Sequence, residues 1–194
     1  MADTVLTAPG RVANPLRAGY LAAALVALAV MIAAILGPSL WLLNFVHVMA
    51  GVLWTGIDLF MGFVIGPIMR RVPLDTRRAM IAGIMPRTLV LMPTLSIVTS
   101  TAGWFLAERL GFLKLGYPDF WWVIAALVIV GVLTVQGLFY LLPTNLRLYF
   151  EILKPTPDHA KMGRWMRTYV RVVAVQGLLQ VAIIVVMARF ATGF

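Results

Sequence analysis

The chain has 194 residues, of which 62% are hydrophobic and only 12% charged, and its formal charge is +9. Soluble domains are roughly half apolar and about a quarter charged, so this composition excludes an ordinary soluble domain and favours a protein in a lipid bilayer. Cysteine is absent and only two histidines occur, which excludes disulfides, iron–sulfur clusters and thiolate metal sites. The basic residues flank apolar segments, so membrane topology explains them and we expect no nucleic-acid partner.

Five apolar segments follow a polar tail at residues 1–18, which we expect to be cytoplasmic. They predict transmembrane helices at about 20–37, 41–69, 88–110, 120–146 and 168–189. About 20 helical residues cross the hydrocarbon, and the segments lack the alternation of barrel strands. We therefore expect an all-α, polytopic bundle of five helices at residues 19–190, with a four-helix core, a peripheral N-terminal helix and an outer tail at 191–194.

The distribution of positive charge predicts the orientation. All but three of the 16 Lys and Arg residues lie in the tail or in the connections after the second and fourth helices. By the positive-inside rule, we expect a bacterial-type inner membrane protein with the N-terminus cytoplasmic and the C-terminus outside. The basic connections should contact anionic lipid head groups, and residues 74–85 fit either a short amphipathic helix or an ordinary loop. Arg11 and Arg17 also fit a signal peptide, although the following apolar segment is long for one.

The second segment carries His47 and, about three helical turns later, Asp58 near the expected midplane. Gly51 and Trp54 share their helix face, which should point into the bundle because ionisable groups are costly in lipid. Asp58 has two interpretations, a proton relay or cation partner and a protonated carboxyl group bonded to a neighbouring Gln or Thr. Lower on the same helix, the pair Gly62 and Gly66 predicts close helix packing.

Glutamines on two other segments lie at a matching depth. Val-Gln-Gly-Leu occurs at 135–138 and again at 175–178, which places Gln136 and Gln176 in the middle of the fourth and fifth helices. Antiparallel helices meeting at these glycines would let the glutamines hydrogen-bond to each other. Such amides either link helices or face a cofactor, and Gln180 is a further candidate.

His47 has three interpretations: a haem axial ligand, a metal ligand, or a hydrogen-bonding residue of the bundle. His159 cannot be its partner, because it lies in a connection on the opposite side of the expected membrane. Met31 and Met187 should lie at a similar depth to His47, and thioether sulfur binds both haem iron and copper(I). Apolar packing is the alternative role for both methionines.

The pattern His-x₃-Gly-x₂-Trp-x-Gly, followed by a Phe and a basic end, comprises His47, Gly51, Trp54, Gly56, Phe60 and Arg70-Arg71. It resembles the second helix of a group that includes the copper-resistance D family, the HemJ-type protoporphyrinogen oxidases and the membrane domain of bacterial urate oxidases. The resemblance covers about 30 residues. It implies that His47 belongs to a four-helix bundle and binds haem or copper.

Three functions fit these features. The first is a small membrane redox protein, or a subunit of a redox complex, that binds haem b or faces quinone through His47, with Asp58 as its proton group. The second is transport of copper or another small cation past His47 and Asp58. The third is an accessory subunit without chemistry or a bound cofactor. A homo-oligomer or a larger membrane complex is compatible with each.

Overall fold

A computed structural model describes residues 18–193, apart from the side chains of Leu74, Arg78 and His159. Over this range the chain forms five long helices and no strand: α1 (Ala18–Leu36), α2 (Leu40–Arg71), α3 (Leu74–Arg109), α4 (Phe120–Ile152) and α5 (His159–Thr192). Each is long and apolar enough to cross a membrane. The predicted all-α class and five spans are confirmed. The tail at residues 1–17 and the terminal Phe194 lie outside the described residues.

Four of the helices form a closed ring. Successive helices pack against one another from α2 to α5, and α5 returns to contact α2. The fifth, α1, packs on α2 and α3 from outside this ring. The arrangement agrees with the predicted four-helix core and peripheral N-terminal helix.

The outer surface of the bundle is apolar. Leu25 of α1 is 66% exposed, Phe63 of α2 is 79% exposed and Leu178 of α5 is 73% exposed. An apolar surface of this extent is unfavourable in water and favourable against lipid tails. The chain is therefore an integral, multi-pass membrane protein.

Small residues bring α1, α2 and α3 together. Ala34, Ala50 and Ala102, one from each helix, are 0%, 5% and 0% exposed. They belong to one apolar cluster that also includes Trp54 and Leu133. In lipid, close packing rather than removal from water holds helices together, and small side chains permit the approach.

Two helices start earlier than the hydropathy predicts. The third helix begins at Leu74 rather than near residue 88, and the fifth at His159 rather than near 168. A helix keeps its backbone hydrogen bonds where its basic turns extend into water. It can therefore continue beyond the hydrocarbon layer. The stretch 74–85 is helical but continuous with α3. Pro86 and Pro93 lie inside this helix without ending it.

The pair Gly62 and Gly66 does not form the predicted helix contact. A Cβ atom at Gly62 would meet nothing within 4 Å, and one at Gly66 would meet only its own helix, at Met61 O. These glycines instead accompany a π-helical turn, Met61–Ile65, within α2. A second π-helical turn, Gln136–Leu141, interrupts α4.

The short connections are tied by specific hydrogen bonds. Ser39 caps α2 by accepting from the Leu42 amide at 3.1 Å. At the other end of α3, the Arg109 guanidinium donates to the carbonyls of Gly37, at 2.9 Å, and of Ile35. Between α4 and α5, buried Glu151 is 2.8 Å from Lys154 Nζ. Among these contacts, that of Arg109 joins the end of α3 to the end of α1.

Candidate functional site

The ring of His47 points at α3. His47 lies about 10 Å along α2 from its first residue, Leu40, and its Nδ1 is 2.9 Å from the backbone carbonyl oxygen of Thr99. A carbonyl oxygen can only accept a hydrogen bond, so Nδ1 carries the proton and donates it. In the neutral ring, Nε2 then keeps an unprotonated lone pair. This side chain is therefore oriented as a ligand or a base through Nε2.

The imidazole of His47 packs against α3 at a position where that helix has no side chain. Gly103 follows Thr99 by about one turn, and a Cβ atom there would lie 2.7 Å from Cε1 and 2.8 Å from Nδ1 of His47. Both distances are far below van der Waals contact, so the ring position requires glycine. Gly51 faces the same helix, where a Cβ atom would lie 3.4 Å from Thr99 Cγ2. Glycines on both helices thus set the distance between α2 and α3 at His47.

Two hydroxyl groups of α3 lie beside this contact without a hydrogen-bond partner. Thr99 Oγ1 and Ser100 Oγ are both buried and unpartnered within the described part of the chain. Buried polar atoms in native proteins are nearly always bonded, so such an exception calls for an explanation. These hydroxyls are available to the polar atoms of a bound group.

Asp58 forms a second polar centre about 16 Å further along α2. Its Oδ2 accepts a hydrogen bond from Gln176 Nε2 at 2.6 Å and another from Gln180 Nε2 at 2.7 Å. Both glutamines belong to α5 and are almost fully buried, whereas Asp58 is half-buried. We call these three residues the acid–amide triad.

Further polar side chains extend the triad along α5. Tyr169 lies about 10 Å before Gln176 on this helix. A side-chain hydrogen bond joins Tyr169 to Asn145 of α4. Polar groups from α4 and α5 therefore lie between the triad and the beginning of α5.

Both π-helical turns lie next to these polar groups. One begins at Met61, within a turn of Asp58, and the other begins at Gln136. A π-helical turn shifts the helix face that follows it, and such turns are frequent at functional sites. In α2, the turn separates the face that carries His47 and Asp58 from the helix end at Arg71.

The predicted site residues do not form one cluster in the structure. Gly51 and Trp54 belong to the contacts of the upper part of α2, where Trp54 is buried in the apolar cluster. Gln176 binds Asp58, whereas the buried Oε1 of Gln136 has no partner among the described residues. Met31 packs in the apolar cluster, and Met187 is half-buried on α5.

The hypothesis that the two glutamines bond to each other is wrong. Gln176 donates to Asp58 instead, and a Cβ atom on Gly137 would meet nothing within 4 Å. Gly177 faces Leu59 of α2, with a Cβ distance of 3.8 Å to Cδ2. The repeated tetrapeptide therefore lies against different neighbours on its two helices.

Sequence reasoning did not identify the partners of His47 or the extension of the triad. Those partners, Thr99 and Gly103, lie on the third helix, for which the sequence predicts no site residue. Their role depends on how α3 packs against α2, which has no signal in the spacing of either segment. Tyr169 and Asn145 lie at the ends of the predicted fifth and fourth helices, next to the basic connection, where the sequence gives no sign that they face the bundle interior.

No protein-family model, no curated protein and no solved structure matches this chain. The resemblance of the second helix to the copper-resistance D, HemJ and urate oxidase group therefore stays a prediction. The chemistry has to be argued from the two polar centres.

Proposed function

We propose that this protein is a small membrane redox protein, or a subunit of a redox complex, that holds haem b through His47. The observation that carries the proposal is the hydrogen bond from His47 Nδ1 to the Thr99 carbonyl. Histidines that bind metals typically donate their other ring N–H to a carbonyl or carboxylate, which fixes the tautomer and the ring plane. His47 would hold the haem through Nε2, and bound haem b would supply one-electron transfer.

The surroundings of His47 fit one ligand to the haem from this chain. The ring is half-buried and lies against Gly103, whose lack of a side chain admits it, so the direction of Nε2 is fixed. The hydroxyls of Thr99 and of the adjacent Ser100 are buried and have no partner among the described residues. Since the only other histidine is His159, a second protein ligand would be a methionine or a residue of another copy.

Copper transport has less support. Among the described residues, no three His, Cys, Asp or Glu side chains converge into a group that could hold a metal ion. Met31 contributes to the apolar cluster, while the His47 ring contacts Thr99 and Gly103. An accessory role without chemistry requires neither the fixed tautomer nor the unpartnered hydroxyls.

An absorption spectrum of detergent-purified protein, produced in cells supplied with a haem precursor, tests the proposal. We expect a Soret band with haem in stoichiometric amount, lost in His47→Ala and retained in His159→Ala. Size-exclusion chromatography and circular dichroism establish that each variant is folded. Folded, colourless wild-type protein would overturn the haem assignment, as would an unchanged Soret band in His47→Ala.

We also propose that the N-terminus is cytoplasmic and the C-terminus outside. The support is that the basic end of α2, with Arg70 and Arg71, and the basic beginning of α5 lie at the same end of an up-and-down bundle. The chain has no cysteine, so a single introduced one is a clean reporter. A membrane-impermeant maleimide should label Gly116→Cys in intact cells and Pro155→Cys only after permeabilisation; the reverse pattern would contradict the orientation.

A further inference from the structure

The carboxyl group of Asp58 lies deep in the bundle without a cation to pair with. Within residues 18–193, the ion pairs involve Glu151, and Asp58 has none. Arg87, a cation of α3, lies over the Tyr20 ring of α1, with its Cζ 5.8 Å from the ring centroid. An uncompensated charge in hydrocarbon is strongly unfavourable, so carboxylates there usually pair with a cation or bind a proton.

The two glutamines bind this carboxyl group through their amide N–H groups and leave their carbonyl oxygens unused. Each donates its amide N–H to the same oxygen, Oδ2, which stabilises the ionised form. The Oε1 atom of each amide is buried and unpartnered, and the residues are only 4% and 1% exposed. An unused buried acceptor is unfavourable. These carbonyl oxygens therefore lack a donor, and a proton on Asp58 would supply one.

We propose that Asp58, Gln176 and Gln180 form a reversible proton-binding site inside the membrane. With both amides donating to Asp58, the geometry is the one expected for the unprotonated, ionised form. On loading, a proton from water forms an O–H bond with one Asp58 oxygen. One glutamine amide rotates so that its Oε1 accepts that hydrogen, while the other amide continues to donate. Release returns the proton to water and the amide to its first orientation, and no other bond changes.

Polar groups continue from the triad towards one end of the bundle. Tyr169 of α5 lies about 10 Å before Gln176, and a side-chain hydrogen bond joins it to Asn145 of α4. The phenol hydroxyl can donate and accept a proton, whereas the amide of Asn145 orients it by a hydrogen bond. Both residues lie between the triad and the beginning of α5. Elsewhere on α4, the charged residues Arg147 and Glu151 lie near the end of the helix. The site does not rest on the proposed haem, because it is about 16 Å from His47.

Labelling with dicyclohexylcarbodiimide, a membrane-soluble reagent that adds to protonated carboxyl groups, tests the inference. The wild-type protein is placed in phospholipid nanodiscs and labelled across a pH series, and the adduct is located by mass spectrometry. We expect one intramembrane adduct, on Asp58, whose yield falls as pH rises, because only the protonated form reacts. The adduct should be absent in Asp58→Asn and unaffected by His47→Ala, which separates this test from that of the haem.

A matched pair of variants tests the part played by the amides. Replacing Gln176 and Gln180 with Met keeps side-chain length and removes the donors that favour the ionised form. The labelling midpoint should therefore move to higher pH by about one unit or more. Gln136→Met, another glutamine of the membrane interior, should leave the midpoint in place.

Three results would overturn the inference. They are an intact protein whose Asp58 is unlabelled at every pH, a midpoint that the double variant leaves unchanged, and protection of Asp58 by sodium at constant pH, which would indicate a cation site instead. Where the double variant does not fold, infrared difference spectra of the wild type between low and high pH replace it. A carboxyl C=O band lost in Asp58→Asn supports the site, and its absence from the wild-type spectrum contradicts it.

Discussion

At the scale of single residues, His47 was identifiable from the sequence but its environment was not. An intramembrane histidine stands out because polar groups are costly in lipid. What fixes its ring is a backbone carbonyl and a missing side chain on another helix, at Thr99 and Gly103. Neither feature can be recognised from composition or periodicity, because every residue has a backbone carbonyl and glycine is common in membrane helices.

Gly103→Ala tests how tightly α3 holds the His47 ring. The added methyl group would lie 2.7 Å from Cε1, so the ring or the helix has to move. Overpacking of this kind costs about 1–3 kcal/mol, which we expect as a lower unfolding midpoint in detergent, together with weaker haem retention.

The control for this variant is Gly131→Ala on α4, where a Cβ atom would meet nothing within 4 Å. Alanine is the better helix former, so this variant should be neutral or slightly stabilised. Equal stability of the two variants would show that the imidazole is free to turn away from Gly103.

The same limit applies to Asp58. The sequence placed it near the midplane and offered a neighbouring Gln or Thr as its partner, and the structure supplies two glutamines. Spacing along α2 gave the depth of the carboxyl group, whereas the identity of the facing helix follows only from the ring of α2 to α5.

At the scale of the helices, hydropathy located the spans and misplaced their ends. The predicted second and fourth spans agree with α2 and α4 to within a few residues, while α3 and α5 begin well before their apolar segments. Hydropathy predicts which residues lie in the hydrocarbon layer, and a helix can continue beyond the last of them. The π-helical turns could not be predicted either, because they change the local hydrogen-bond pattern of a helix without changing its composition.

Most arginines of this chain lie in the basic connections that predict its topology, but Arg109 does not. It belongs to the few cations outside the basic connections, and its guanidinium donates to the carbonyls of Gly37 and Ile35. These carbonyls terminate α1 and carry the negative end of its dipole. Arg109 therefore joins the end of α3 to the end of α1.

Arg109→Met should loosen α1 from the bundle. The variant keeps the apolar stem and removes the donors, and we expect a loss of about 1 kcal/mol or more because the bond is charged but exposed. Amide hydrogen exchange of the last turn of α1 should increase, while the triad helices stay protected. Lys114→Met, another cation at this end of the bundle, is the control; the same exchange in both variants would contradict the role of Arg109.

At the scale of the whole molecule, the outer surface of the bundle is apolar except at its basic end. There, α5 forms a shallow groove that combines positive charge with apolar side chains. It is lined by Gly163, Met166, Arg167, Val170 and Arg171. No carboxylate of the described chain lies within salt-bridge distance of Arg167 or Arg171. Unneutralised guanidinium groups beside apolar atoms complement an anionic phospholipid, whose phosphate and acyl chain are similarly adjacent.

Anionic lipid should therefore stabilise the folded protein through this groove. We expect phosphatidylglycerol, added to protein in a neutral detergent, to raise the thermal unfolding midpoint more than phosphatidylcholine does. Replacing Arg167 and Arg171 with Gln should remove most of the difference, since each arginine contributes about 1 kcal/mol to binding an anionic surface. Replacing Arg70 and Arg71, which have the same charge at the same end of the bundle but lie on α2, should preserve it. If both double variants lose the effect equally, the lipid responds to the total charge of that end, and the groove on α5 has no separate part in binding.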